Sequence, residues 1–123
     1  MGPGASIQAF GSTNVWRNDL ELVTDLCPPG QFGIYYYGPN AIQVPFGNGF
    51  RCVGGPIHRL VPATHTGSGT ATRPLDFEAP PMDSGAGAVV TGATWNFQFW
   101  YRDVPAGGAF FNLSDGLSVT FCP

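Results

Sequence analysis

The sequence predicts an all-β domain, a two-sheet antiparallel β-sandwich of Ig-like or jelly-roll type with about eight short strands. Three observations carry that prediction. The stretch ATWNFQFWYRD at 93–103 alternates with period two. Trp95, Phe97, Phe99 and Tyr101 therefore share one face of a strand, and Asn96, Gln98, Trp100 and Arg102 share the other. The chain holds 18 glycines and 12 prolines with no collagen-like period, which marks many turns between short segments. Helical periodicity is almost absent. Its one candidate, 18–26, sets Leu20, Leu22 and Val23 among β-branched neighbours and reads better as a strand.

The strand-like runs follow at the spacing of an antiparallel sandwich. SIQAF (6–10) opens the series and DLELVTD (19–25) follows. QFGIYYY (31–37) sets Tyr35 and Tyr37 out of phase with Ile34 and Tyr36. AIQVPF (41–46) and TATRPLDFE (70–78) carry Pro45 and Pro74, which cannot donate to a ladder, so these two are expected at edges or interrupted there. PIHRLV (56–61), the strand at 93–102 and LSVTFC (117–122) complete the set. Loops are expected at 38–40, 46–49, 65–69, 79–87 and 104–108, where Gly, Pro, Asn and Asp cluster. Residues 1–5 read as a linker remnant and 6–123 as a single domain.

Ten Phe, four Tyr and three Trp supply a core, and a chain of this size buries roughly two thirds of its unfolded surface. Charged residues make up 11%, too few for disorder by self-repulsion. The five cations are all arginines, dispersed at 17, 51, 59, 73 and 102, and the net charge is −3. That pattern offers no footprint for nucleic acid or an anionic membrane. No apolar run approaches the ~20 residues that span a bilayer. MGPGAS lacks the apolar segment of a signal peptide, and Met1 before Gly-Pro-Gly reads as an added start, so an export signal would lie in a longer parent chain.

Three cysteines leave one unpaired under any scheme. Cys27 follows the second strand-like run and Cys122 ends the last. A bridge between them would close nearly the whole domain and stabilise it by about 4–5 kcal/mol through chain entropy. The alternative is three reduced, packed thiols. The bridge is the expectation, because the chain otherwise has an extracellular character. Cys52 is then free, or pairs outside this chain.

No catalytic set emerges. Asp76 and Glu78 stand two apart, about 7 Å along a strand, a spacing that inverting glycosidases use. Charges on the wet side of an edge strand are ordinary solvation, however, and Asp19 and Glu21 repeat the pattern. Ser68 near His65 lacks the strand–elbow–helix setting of a hydrolase nucleophile. His58 and His65 have no third ligand at zinc spacing. Asp103, Asn112 and Asp115, in loops flanking the last two strands, are weak candidates for a structural calcium, with Asp83 more remote; turn chemistry explains the same residues. No other cofactor is implied.

The aromatic surface is the stronger lead. Trp100 lies out of phase with the core set. If 31–37 and 93–102 share a sheet, Tyr35, Tyr37 and Trp100 form a platform, with Asn96, Gln98 and Arg102 as hydrogen-bonding neighbours. The competing reading is plain cross-strand packing, or cover by a loop or a neighbouring domain.

In order, GPGASIQAFGS, NDLEL, FGIYYYG, FGNGFRCVGGPIHRLV, TWNFQFWYRD and FNLSDGLSVTF resemble a C-terminal domain of large exported proteins from planctomycetes, myxobacteria and similar bacteria. The resemblance covers nearly the whole chain, and its last two pieces are the most specific. It implies an accessory module on exported proteins and hydrolases, with no catalytic residue to carry over. Members have a cysteine where Cys52 stands, its partner lying upstream or in a later loop. The corresponding loop here, VPAGGAFFN, has none, and Cys27 and Cys122 stand outside the family pattern.

The expectation is therefore a non-catalytic accessory domain, extracellular or at the cell surface. Its partners would be an extracellular polysaccharide or other polymer and the rest of a longer parent chain. The alternative is a terminal structural or sorting module that self-associates through the same face and its strand edges.

Overall fold

The computed structural model describes residues 5–104 and 107–123. Most of the segment expected to be a linker, and Pro105 and Ala106 of the 104–108 loop, lie outside the described residues. Ala5 does not behave as linker: it is buried, and its amide donates to the Tyr101 hydroxyl at 3.3 Å.

The described chain is all-β, with antiparallel ladders throughout its named strands. In order these are β1 (Ser6–Phe10), β2 (Glu21–Asp25), β3 (Phe32–Gly38), β4 (Asn40–Phe46), β5 (Gly49–Gly54), β6 (His58–His65), β7 (Ala71–Pro74), β8 (Thr94–Arg102), β9 (Phe111–Leu113) and β10 (Leu117–Thr120). A 3-10 turn spans Gly85–Gly87. The expected runs are present, some of them shorter. Two strands were not expected: β5, in a glycine-rich segment, and β9, only three residues long.

One sheet has the order β1-β2-β7 and a second has β10-β8-β3-β6, with β9 also pairing β8. β4 and β5 form a separate hairpin. Both prolines fall where their missing N–H is tolerated. Pro45 lies in β4, which pairs only with β5, and Pro74 ends the edge strand β7.

The two larger sheets feed one buried cluster, an arrangement consistent with a β-sandwich. Ile7, Leu22 and Ala71 come from the three-stranded sheet; Tyr35, Tyr37, Leu60, Trp95, Phe97, Phe99, Tyr101 and Val119 come from the other. Burial of such side chains contributes roughly 1.5–3 kcal/mol each. The tyrosines also carry polar tips, which must find partners once dry. The Tyr35 hydroxyl crosses the core to bond Thr24 Oγ1 at 2.7 Å and donates to the Ala71 carbonyl at 3.1 Å. Tyr37 donates to the Gly87 carbonyl at 2.7 Å.

Along one side, Arg73 of β7 reaches β6. It donates to the carbonyls of Leu60, Val61 and Pro62 at 3.4, 2.8 and 2.9 Å. Those carbonyls belong to a bulge, where the pairing with β3 shifts register between Gly33 and Tyr35.

The expected Cys27–Cys122 bridge is not formed, and all three cysteines are free. The topology explains why. Cys27 follows β2 at the end where Asp25 faces Ser6, whereas Cys122 bonds Thr13, beyond the opposite end of β1. Cys27 is instead packed in the core, its thiol donating to the Thr24 carbonyl at 3.5 Å.

Burial pushes the Cys27 thiol from its ordinary 9.0 up to about 11. It also raises the phenols of Tyr35, Tyr36, Tyr37 and Tyr101 above their ordinary 10.0. Above pH 9 the unfolded chain therefore binds fewer protons than the folded one, and stability falls as pH rises. Cys27 alone is expected to cost about 2 kcal/mol by pH 11. Urea midpoints at pH 8, 9.5 and 11 check this; a flat profile would contradict the burial of these groups.

Candidate ligand-binding groove

β8 is central, and its two faces meet different fates. The inward face packs as its alternation predicts. On the outward face Asn96 and Gln98 are both buried, and the β4–β5 hairpin lies over Gln98. Gln98 is wholly enclosed. Its Oε1 accepts from the Tyr36 hydroxyl at 2.5 Å and the Cys52 amide at 2.9 Å; its Nε2 donates to the carbonyls of Phe50 at 2.8 Å and Ser114 at 2.5 Å. Asn96 donates to the Gly38 carbonyl at 3.4 Å and accepts from the Ser118 hydroxyl. Gln98 fastens the hairpin to the sheet, Asn96 ties β8 to its neighbours β3 and β10 within it, and both amides are engaged by the protein's own groups.

The proposed three-ring platform does not exist. Tyr35 and Tyr37 are fully buried, paired with Phe99 and Phe97 on the core side of the sheet, while Tyr36 shares the outward face with Gln98. A shift of one residue in parity moves a whole strand's side chains to the other face. The register here is the reverse of the one expected for 31–37. Gly33 shows the cause: a Cβ at this inward position would lie 2.5 Å from the Phe99 ring and 2.7 Å from the Trp100 carbonyl oxygen. Positions 33, 35 and 37 therefore face the core.

Trp100 and Arg102 do reach the surface, where the hairpin's cover ends. Trp100 is half-buried and leans on two phenylalanines, with ring centroids 5.8 Å from Phe46 and 5.6 Å from Phe111. Beside it opens a groove of about 500 Å³, within the range of ligand sites and lined chiefly by apolar groups. Phe32, Ile34, Trp100, Arg102, Phe110 and Phe111 form its walls. Phe32 and Phe110 remain 54% and 55% exposed. A smaller recess of about 100 Å³ shares Ile34 and Trp100 and is bounded by Tyr36, Phe46, Arg51 and Arg59.

Local chemistry fixes the walls. The β4–β5 turn needs Gly47, whose φ is +58° and where a Cβ would strike the Phe111 ring. Asn48 beside it holds the opposite wall. Its Nδ2 donates to the Gly107 carbonyl at 2.8 Å, its Oδ1 accepts from the Ala109 amide at 3.0 Å, and its own amide donates to the Phe111 carbonyl at 3.0 Å. Phe110 sits at φ +65°, a costly conformation for a bulky residue, and is held there by this loop.

The other candidates disperse. Asn112 and Asp115 line a second, more polar groove with Cys52, but Asp115 Oδ1 accepts from the Ile7 amide and Asn112 Oδ1 from the Leu113 amide, both at 2.8 Å. Asp103 lies by the start of β9, its amide bonded to the Phe110 carbonyl, and does not join them. Among the described residues, no group of three His, Cys, Asp or Glu side chains could hold a metal. Asp76 is engaged in a turn, where bonds from Asn18 Nδ2 and the Glu78 amide, each 3.0 Å, hold its carboxyl below the ordinary value. His58 packs against Tyr37 and Trp95, and His65 Nδ1 accepts from the Gly67 amide at 2.9 Å.

Comparison with protein-family models, curated proteins and solved structures finds no match. The groove's description therefore stands on its own residues. Phe32, Phe46, Phe110 and Phe111 were missed because they lie at strand ends and turns, outside any alternating run. The doublet in GGAFFN was the available signal, since neighbouring phenylalanines on an extended segment cannot both face one core.

Gln98→Ala would leave two carbonyls, an amide and a phenol without their partner. The expected cost is ~3 kcal/mol or more, with the β4–β5 hairpin loosened first. Denaturant midpoints and amide exchange across 49–54 check this; fast exchange confined elsewhere would show that another contact anchors the hairpin.

Proposed function

We propose that this is a non-catalytic accessory domain of an exported protein, extracellular or at the cell surface, that binds a polymeric carbohydrate in the groove beside Trp100. One observation carries the reading: an open groove walled by rings and one arginine, with Trp100 packed against both Phe46 and Phe111. Sugar rings present an apolar face that stacks on such surfaces, and a guanidinium hydrogen-bonds their hydroxyls. A braced site loses little side-chain entropy on binding. The resemblance to C-terminal modules of exported bacterial proteins supports the same role.

A second reading has its own observation. β4 is exposed along its whole length and pairs with a neighbour on one edge only, which suits addition of a strand from another chain. In that case the domain is a structural or sorting module that self-associates.

The test is retention of the folded domain on a panel of insoluble polysaccharides, with Trp100→Ala beside it and size-exclusion elution at two concentrations. Retention on one polymer, reduced at least about tenfold by Trp100→Ala with unchanged circular dichroism, is the expected result. No retention, together with elution shifting to larger species at high concentration, would replace this reading with the second.

A further inference from the structure

Three of the five arginines lie around Trp100, Arg102 lining the aromatic groove and Arg51 and Arg59 the small recess that shares Ile34 and Trp100 with it, although the chain as a whole carries a net charge of −3. Arg102 follows Trp100 by two positions on the same face of β8, about 7 Å along the strand. Arg51, on β5, and Arg59, on β6 opposite Tyr36, border the recess on the other side of Trp100. These residues come from three different strands, so their proximity is a product of the fold and is invisible in their spacing along the chain.

The acidic residues are distributed otherwise. Asp19, Glu21 and Asp25 belong to β2 and the turn before it, Asp76, Glu78 and Asp83 follow β7, and Asp115 is bound to the Ile7 amide. Asp103 is the one acid next in sequence to a groove arginine. Arg51 is also held in place, its Nε–H donating to the Val53 carbonyl at 2.9 Å. An arginine so engaged keeps four more N–H groups on its terminal nitrogens. Its charge is felt locally: burial raises the Tyr36 phenol, and Arg51 acts against that rise.

We infer that the groove takes an acidic polysaccharide, its sugar rings on Trp100 and the flanking phenylalanines and its carboxylates or sulfates on Arg51, Arg59 and Arg102. This rests on the carbohydrate-binding reading above and narrows it to one substrate class. The planar guanidinium matches a carboxylate or sulfate with two parallel hydrogen bonds, which a lysine cannot do, and this chain has no lysine. Rings and cations contribute differently. Stacking is insensitive to salt, whereas attraction between exposed charges weakens once the Debye length falls to about 8 Å at physiological ionic strength.

The experiment is affinity electrophoresis of the folded domain in gels containing polygalacturonate, alginate or chondroitin sulfate, with methyl-esterified polygalacturonate and dextran as uncharged counterparts. Trp100→Ala, the triple variant Arg51→Gln/Arg59→Gln/Arg102→Gln and the control Arg17→Gln are run beside wild type, each checked for folding by circular dichroism. A single-stranded oligonucleotide serves as a non-sugar polyanion. The expected result is retardation by at least one acidic polymer and weakening by roughly tenfold or more in both the triple variant and Trp100→Ala. Arg17→Gln should bind as wild type does.

Equal binding to neutral and acidic polymers, lost only in Trp100→Ala, would overturn the acidic specificity and leave carbohydrate binding standing. Binding to no glycan would overturn both. Tighter binding to the oligonucleotide than to any glycan would overturn this inference in favour of a nucleic-acid ligand.

Discussion

Gln98 is the side chain on which the outer face of the five-stranded sheet depends, because a fully enclosed amide is tolerated only when each of its polar atoms finds a partner. It meets that condition with two acceptor and two donor bonds, spread over β3, β5 and the segment after β9. The hairpin β4–β5 is two-stranded and would be marginal alone. Apolar contacts add to this anchoring, Val53 packing against Tyr36 and Leu113 and Phe46 against Trp100 and Phe111. Polar bonds and apolar contacts together set where the hairpin lies, and its position in turn sets where Trp100 emerges.

Much of the fold was legible in the sequence for a physical reason. Strict alternation on β8 carries enough apolar mass on one face to decide its orientation, and glycine, proline and Asx residues mark the turns. What failed was parity on β3. Three consecutive tyrosines contain no alternation, so hydrophobicity cannot choose between Tyr35 with Tyr37 and Tyr36 alone. The deciding residue is Gly33, which has to lie where the Phe99 ring and the Trp100 carbonyl leave no room for a Cβ. A glycine inside a strand marks close approach, and that approach is on the core side.

The cysteines and the short strands failed for another reason: both depend on three-dimensional placement. Cys27 follows β2 of one sheet and Cys122 follows β10 of the other, beyond opposite ends of β1, and sequence separation says nothing about that. β5 and β9 are stabilised by what they pack upon. In β5, Arg51 and Val53 share a carbonyl bond while the Cys52 amide is held by Gln98. The site was legible only in part. Trp100 and Arg102 were found by phase, whereas the phenylalanines around them and the other two arginines are assembled by tertiary contacts alone.

A groove built this way has a particular energetic character. Its rings are not free rotors on a flat sheet: Trp100 meets Phe111 edge to face, Phe46 packs at a tilt against both, and Asn48 ties the hairpin tip to the loop that carries Phe110. Holding Phe110 at positive φ costs of order 1–3 kcal/mol. That cost is met during folding and not at the moment of binding. A ligand entering such a site orders few protein side chains, so a modest contact area suffices for measurable affinity. The arginines around it differ in freedom: Arg59 and Arg102 are exposed, whereas Arg51 is half-buried and tied to the Val53 carbonyl. Shape and charge are thus divided between two sets of residues, the rings packed on one another and the guanidinium groups around them, of which those of Arg59 and Arg102 are left adjustable at the rim.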